Sequence, residues 1–203
     1  NPKIGYPDKW KDYSQVPISR TSFFRDVVAA RKFNVTDDLA QIGKPVDRGR
    51  FGMTPPTSNA YYNPSLNEIV FPAGILQPPA FCLSPNDGVN YGAIGVVIGH
   101  EISHGYDDQG AQYDAQGRLK NWWTEEDLKK FQAKTQCVAD QYDQYEVEPG
   151  VFQKGKLVTG ESVGDLAGAR IAYRAFQIAQ KGKPPLATIG SPAPRSRAEV
   201  ISE

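Results

Sequence analysis

A chain of 203 residues with 39% hydrophobic content is long enough for one globular domain with a core of its own. Lysine plus arginine and aspartate plus glutamate both total 23, so the formal net charge is zero and there is no basic footprint for nucleic acid. No run approaches the ~20 apolar residues that span a bilayer, so no membrane segment is expected; Cys82 and Cys137 are too few for a disulfide scaffold or a cysteine-rich zinc ribbon.

The start, Asn1-Pro2-Lys3-Ile4, has neither the charged nor the apolar region of a signal peptide and reads as mid-domain sequence. A helical start is expected over 7–13, then a helix across 21–31, where Thr21-Ser22 offers an N-cap and apolar residues follow at helical spacing. Gly43-Lys44-Pro45 and Met53-Thr54-Pro55-Pro56 turn the chain to loop. Two extended segments, 58–64 and 67–72, split by Pro64-Ser65, are expected to pair as a small hairpin.

From 90 to 107 one buried helix is expected, with Ile94, Val96, Val97 and Ile98 running into His100 and His104. Gly92, Gly95 and Gly99 lower its intrinsic preference and suit close packing. Trp122-Trp123 reads as packing, and Thr124-Glu125-Glu126-Asp127 as the capped start of a helix to about Tyr145. A last helix is expected from about Glu161 to Gln180; residues 1–185 form the domain, and 186–203, rich in proline, serine and arginine, a mobile tail.

Both histidines of the sequence fall in His100-Glu101-Ile102-Ser103-His104. Positions i and i+4 share a helix face, so both imidazoles can reach one zinc ion, with Glu101 beside its water; two core histidines without metal are the bland alternative. Such a zinc is one protein ligand short, and a carboxylate oxygen suits it. Gly160-Glu161-Ser162-Val163-Gly164-Asp165 reads as opening a helix with Glu161 and Asp165 on one face. One of the two can bind metal while the other holds a histidine's second ring nitrogen, although acidic caps have the same spacing. Asp107 and Asp108 are open between a hydrogen bond within the site and a cap or loop role.

These segments resemble the C-terminal catalytic region of the neprilysin and endothelin-converting enzyme family of zinc metallopeptidases. The likeness rests on Asn59-Ala60-Tyr61-Tyr62, on His100 through Asp108 and on Gly160-Glu161 through Asp165, and runs over about residues 3–181. It implies a mainly α fold with a small antiparallel sheet (α+β), a thermolysin-like zincin catalytic lobe with an active-site helix. It implies one zinc per chain held by His100, His104 and Glu161, with Glu101 as general base and Asp165 as supporting partner.

Asn59 and Ala60 are implied to lie on an edge strand that pairs with an extended peptide, and Ile75, Val96 and Val97 to line an apolar pocket beside the metal. Ala80 stands where relatives carry an aromatic, which makes that pocket roomy unless Phe81 fills it. The implied activity is a zinc-dependent endopeptidase or oligopeptidase that cuts on the amino side of hydrophobic residues with zinc-activated water. The alternative is a zinc-binding, catalytically impaired peptide-binding fragment. The family also carries an oxyanion-steadying histidine and a substrate-gripping arginine beyond the third ligand, and an N-terminal roof over the cleft. No histidine follows His104 and the roof is missing, so the chain is expected to be a fragment or the product of a truncated reading frame. Peptide substrates and an extracytoplasmic setting, periplasmic, secreted or cell-surface, follow from the resemblance; the oligomeric state stays open.

Overall fold

The computed structural model describes residues 1–83 and 87–184; the expected tail, 186–203, lies outside them. Five helices of the α type and two small sheets are present among the described residues. The first strand, β1 (Pro2–Gly5), precedes a segment in which the expected helix over 7–13 does not form. There the Asp12 carboxylate accepts the Ser14 N–H at 2.8 Å, a side-chain turn that competes with helical pairing. Helix α1 (Phe23–Leu39) does follow, capped by Ser22. None of its residues is buried; ion pairs from Lys11 and Arg50 to Asp37 tie it to the rest.

The expected hairpin forms from β2 (Tyr61–Asn63) and β3 (Glu68–Pro72), antiparallel with Tyr61 opposite Val70. Its turn is locally determined, since Asn63 Oδ1 accepts the Ser65 N–H and Oγ–H, and Asn67 adopts φ 44°. Strand β1 adds to the far side of β3 in parallel, giving the order β1-β3-β2 and leaving β2 at an edge. Lys3 on β1 and Glu68 on β3 form a buried ion pair at 2.6 Å, and Lys3 also donates to the Arg50 carbonyl. Central β3 buries Val70, Phe71 and Pro72, and Phe71 joins Ala60 and Ile94 in a core cluster against which Ile75, Phe81 and Val97 pack.

The single helix expected over 90–107 is broken into α2 (Asp87–Gly92), α3 (Ile94–Ser103) and a 3-10 turn (His104–Tyr106). At the break, Ala93 has φ −109° and ψ −95°, and the Ile94 N–H donates outward to the Ala80 carbonyl at 3.0 Å. Helix α4 (Glu125–Tyr142) begins as expected: Thr124 Oγ1 accepts the Asp127 N–H at 3.1 Å, a cap worth about 1 kcal/mol. Trp123 stacks on Phe131 and donates to the Ala111 carbonyl, and Trp122 stacks on Trp123, both packing roles.

After a two-stranded turn, β4 (Glu146–Glu148) and β5 (Val151–Phe152), helix α5 runs Gly155–Gln180. It starts six residues before Glu161, so Glu161 and Asp165 are interior helix positions and not its opening caps. Gly155 fixes the start: its N–H donates to Asp143 Oδ1 at 2.7 Å, and a Cβ there would stand 1.9 Å from the Ala139 carbonyl oxygen. Cys82 and Cys137 are both free thiols. No helix among the described residues is long and apolar enough to cross a membrane. The architecture is therefore mainly α with a small sheet, and α3 lies against α5.

Candidate metal centre

His100 and His104 project from one face of α3 and the turn that ends it, their rings edge to face at 4.6 Å between centroids. Helix α5 brings Glu161 to them. His100 Nε2 is 3.3 Å from Glu161 Oε2 and His104 Nε2 is 3.9 Å from Glu161 Oε1. One ligand atom from each of the three residues lies within 4.8 Å of the others.

A tetrahedral zinc with bonds of about 2.0–2.1 Å separates its ligand atoms by about 3.3–3.4 Å. The trio therefore needs only small side-chain adjustments to close on such an ion, and two imidazoles with one carboxylate leave a fourth position for solvent or substrate. The donor set and its spacing fit zinc.

Each histidine is held through its other nitrogen. In the tautomer that leaves Nε2 free, His100 Nδ1–H donates to Asp165 at 2.9 Å and His104 Nδ1–H donates to Asp107 at 2.7 Å. The two carboxylates differ sharply in surroundings: the Asp165 side chain is 72% accessible and that of Asp107 only 6%. Asp107 also accepts the N–H groups of Gln109 and Gly110, so the site role and the loop role left open by the sequence are both filled by this residue. Asp108 accepts from Gln109 Nε2, with its other oxygen buried beside Gly160.

The hydrogen bond that His104 donates to Asp107 pushes the imidazole above its ordinary value, outweighing burial, with the charges of Asp107, Glu101 and Glu161 adding to it. Burial would raise Asp107, but His104 and the two backbone donors outweigh it and hold the carboxyl low. Glu101, the residue after His100, is buried, and that burial raises its carboxyl above the usual range. Both histidine charges and a hydrogen bond from the Tyr62 backbone oppose the rise. That contact joins the candidate base to edge strand β2, a link with no signal in the sequence.

Asn59 is exposed just before β2 and its Oδ1 accepts the Ala60 N–H at 2.9 Å, while Ala60 is buried in the core cluster. Ile75 and Val97 pack against that same cluster together with Phe81. Val96 is half-buried on α3, and its carbonyl faces Gly168 of α5.

A histidine pair on one helix, a carboxylate delivered by a second and a buried glutamate beside them place the chain in the metallopeptidase class. The chain belongs to Peptidase family M13, whose family profile matches residues 59–194. It is 42% identical over 180 residues to the endothelin-converting enzyme homolog of Locusta migratoria, covering 85% of this chain and 25% of that protein. Neprilysin-3 of Drosophila melanogaster is 39% identical over 181 residues, 86% of this chain and 23% of that one. The chain thus spans about a quarter of the length of these curated relatives.

Among solved structures, inhibitor-bound zinc metalloprotease Zmp1 of Mycobacterium tuberculosis superposes with a TM-score of 0.87 at 46% identity, over 93% of this chain and 30% of that one. PepO of Lactobacillus rhamnosis HN001 gives 0.77 at 35% identity, over 91% and 29%. The family implies zinc, peptide substrates and the mainly helical fold seen here.

Proposed function

We propose that residues 1–185 are the catalytic domain of a zinc-dependent endopeptidase or oligopeptidase, acting outside the cytoplasm, that hydrolyses bonds on the amino side of hydrophobic residues. The observation that carries this reading is the convergence of His100, His104 and Glu161, with buried Glu101 adjoining them. His100, His104 and Glu161 would hold one zinc ion per chain, which when bound would supply the Lewis acidity for polarising a carbonyl and acidifying water.

The chain's own groups do the rest. Asp165 and Asp107 fix the ring tautomers, which leaves both Nε2 atoms free as ligands. Glu101, its carboxyl raised by burial, takes the proton of the attacking water and returns it to the departing amine. The outer edge of β2 offers backbone groups to an extended peptide, with exposed Asn59 and the Ala60 backbone as the contact points. Ile75, Val96 and Val97 furnish the apolar wall for the side chain after the cut, and Phe81, packed with Ile75 and Val97 on one cluster, supplies a ring to it.

Hydrolysis of a short peptide with an internal phenylalanine tests the reading. Cleavage on the amino side of that residue should vanish on chelation and fall about 100- to 10,000-fold in Glu101→Gln, with zinc still bound. Turnover in Glu101→Gln equal to that of the parent would remove Glu101 from the mechanism.

A further inference from the structure

The four-residue spacing of His100 and His104, on α3 and the turn that ends it, puts both on one face; nothing local places Glu161 opposite them. Its position depends on how closely α5 lies on α3. The two helices touch backbone to backbone at one crossing. A Cβ added at Gly168 would stand 2.6 Å from the Val96 carbonyl oxygen, 2.8 Å from the His100 nitrogen and 3.1 Å from the His100 Cα. From the other side, a Cβ at Gly99 would stand 2.8 Å from the Gly168 Cα and 2.9 Å from its oxygen. These are main-chain atoms, so no side chain can swing aside to make room.

The crossing abuts the candidate ligands: Gly99 precedes His100, and Gly168 lies two turns beyond Glu161 on the same face of α5. We infer that Gly168, with Gly99 as its counterpart, is a positioning residue for the metal centre, setting the distance between α3 and α5 at which Glu161 meets the two histidines. The inference rests on His100, His104 and Glu161 holding zinc. Ordinary contact to a Cβ begins near 3.4 Å. An alanine at Gly168 therefore pushes the helices apart by about an ångström there, and the 3.3 Å separation of His100 from Glu161 opens by a comparable amount. With the His100 and His104 separations from Glu161 starting at 3.3 and 3.9 Å, both would then stand beyond the ~3.4 Å span of adjacent ligands on a tetrahedral zinc, and the adjustment that closes the parent trio would have to grow by about as much as the helices part.

The test uses Gly168→Ala, Gly99→Ala and, as a graded control, Gly95→Ala, where the nearest atoms to the added carbon are the Asn90 oxygen at 3.3 Å and the Ala172 and Tyr91 side chains at 3.6 and 3.7 Å. Zinc affinity is read by competition with a chromophoric chelator, and coordination from the visible absorption of the cobalt-substituted protein. Gly168→Ala should bind zinc about 10–100-fold more weakly, as for residues that support ligands, with an altered cobalt spectrum; Gly95→Ala should resemble the parent. In a Glu161→Gln background the Gly168→Ala effect should disappear, which a merely structural role would not predict. Parent-like affinity and spectrum in a folded Gly168→Ala overturn the inference, while absence of stoichiometric zinc in the parent overturns the ligand reading beneath it. Should Gly168→Ala not fold, Gly99→Ala is held to the same outcomes; unfolding of both would assign the crossing to stability alone and also overturn the proposal.

Discussion

Removing Asp107 should damage the metal centre more than removing Asp165, although each accepts a hydrogen bond from one histidine. Asp107 is almost wholly buried and carries three such bonds, to His104 Nδ1 at 2.7 Å, the Gln109 N–H at 2.8 Å and the Gly110 N–H at 2.7 Å. A donor left buried without a partner costs about 1–3 kcal/mol, in full for the buried Gly110 N–H and less for the two partly buried donors that water can reach, so Asp107→Ala should lower stability by about 2–5 kcal/mol. Asp165 makes one bond, at 2.9 Å, from a side chain that is 72% accessible, and water can take its place. Screening discounts its contribution to less than about 1 kcal/mol. Supporting carboxylates tune metal affinity by about 10–100-fold; Asp107→Ala belongs at the upper end of that range and Asp165→Ala at the lower. Zinc competition titrations and thermal unfolding in chelator, run on both variants, measure the two effects separately. A larger affinity loss in Asp165→Ala, with unchanged unfolding midpoints for both, would refute the argument from burial.

The raised value of His104 makes zinc compete with a proton there, so affinity should begin to fall on acidification above the ordinary histidine value of 6.5; titrations across pH should show this onset move down in Asp107→Ala, and an unmoved onset would exclude His104 as its source. Gly117→Ala forces an L side chain to φ 78° with its Cβ 1.9 Å from the Ser65 oxygen, and should lower stability by about 1–3 kcal/mol in urea unfolding; a parent-like midpoint would mean the loop relaxes freely. Ala80→Phe adds a ring next to Phe81 and should shift preference toward smaller residues after the cut in a peptide series varied only there. An unchanged preference would place Ala80 outside the pocket wall.

What the sequence disclosed was local. The helix capped by Thr124, the hairpin around Pro64-Ser65 and the shared face of His100 and His104 each follow from a periodicity or a turn within a few residues, and each forms. What it concealed depends on partners distant in the chain. Strand β1 has no strong extended pattern and exists because β3 supplies its ladder and Glu68 its counter-charge for Lys3. Helix α2 stops before α3 because the Ala80 carbonyl captures the Ile94 N–H, a contact no window around Ala93 contains. The early start of α5 was hidden for the same reason, since Gly155 carries no local helix-start signal and its place is set by the distant Ala139 and Asp143 contacts.

The glycines inside the ligand-bearing helices follow from this division between local and distant causes. Gly99, Gly164 and Gly168 are buried helix positions, and each lowers helix stability by about 1 kcal/mol relative to alanine. By propensity alone they weaken the two elements whose rigidity the centre needs. Their contacts run the other way: a Cβ at Gly164 would stand 2.9 Å from His100 Nδ1, and those at Gly99 and Gly168 would meet main-chain atoms of the opposite helix. Removing three Cβ atoms lets α3 and α5 approach until a carboxylate on one reaches two imidazoles on the other, with Asp165 near enough to grip His100 in the same approach. The histidine spacing can thus be specified by one helix, whereas the third candidate ligand is specified by the surface between two. Local propensity is given up at the positions where that surface must be thinnest.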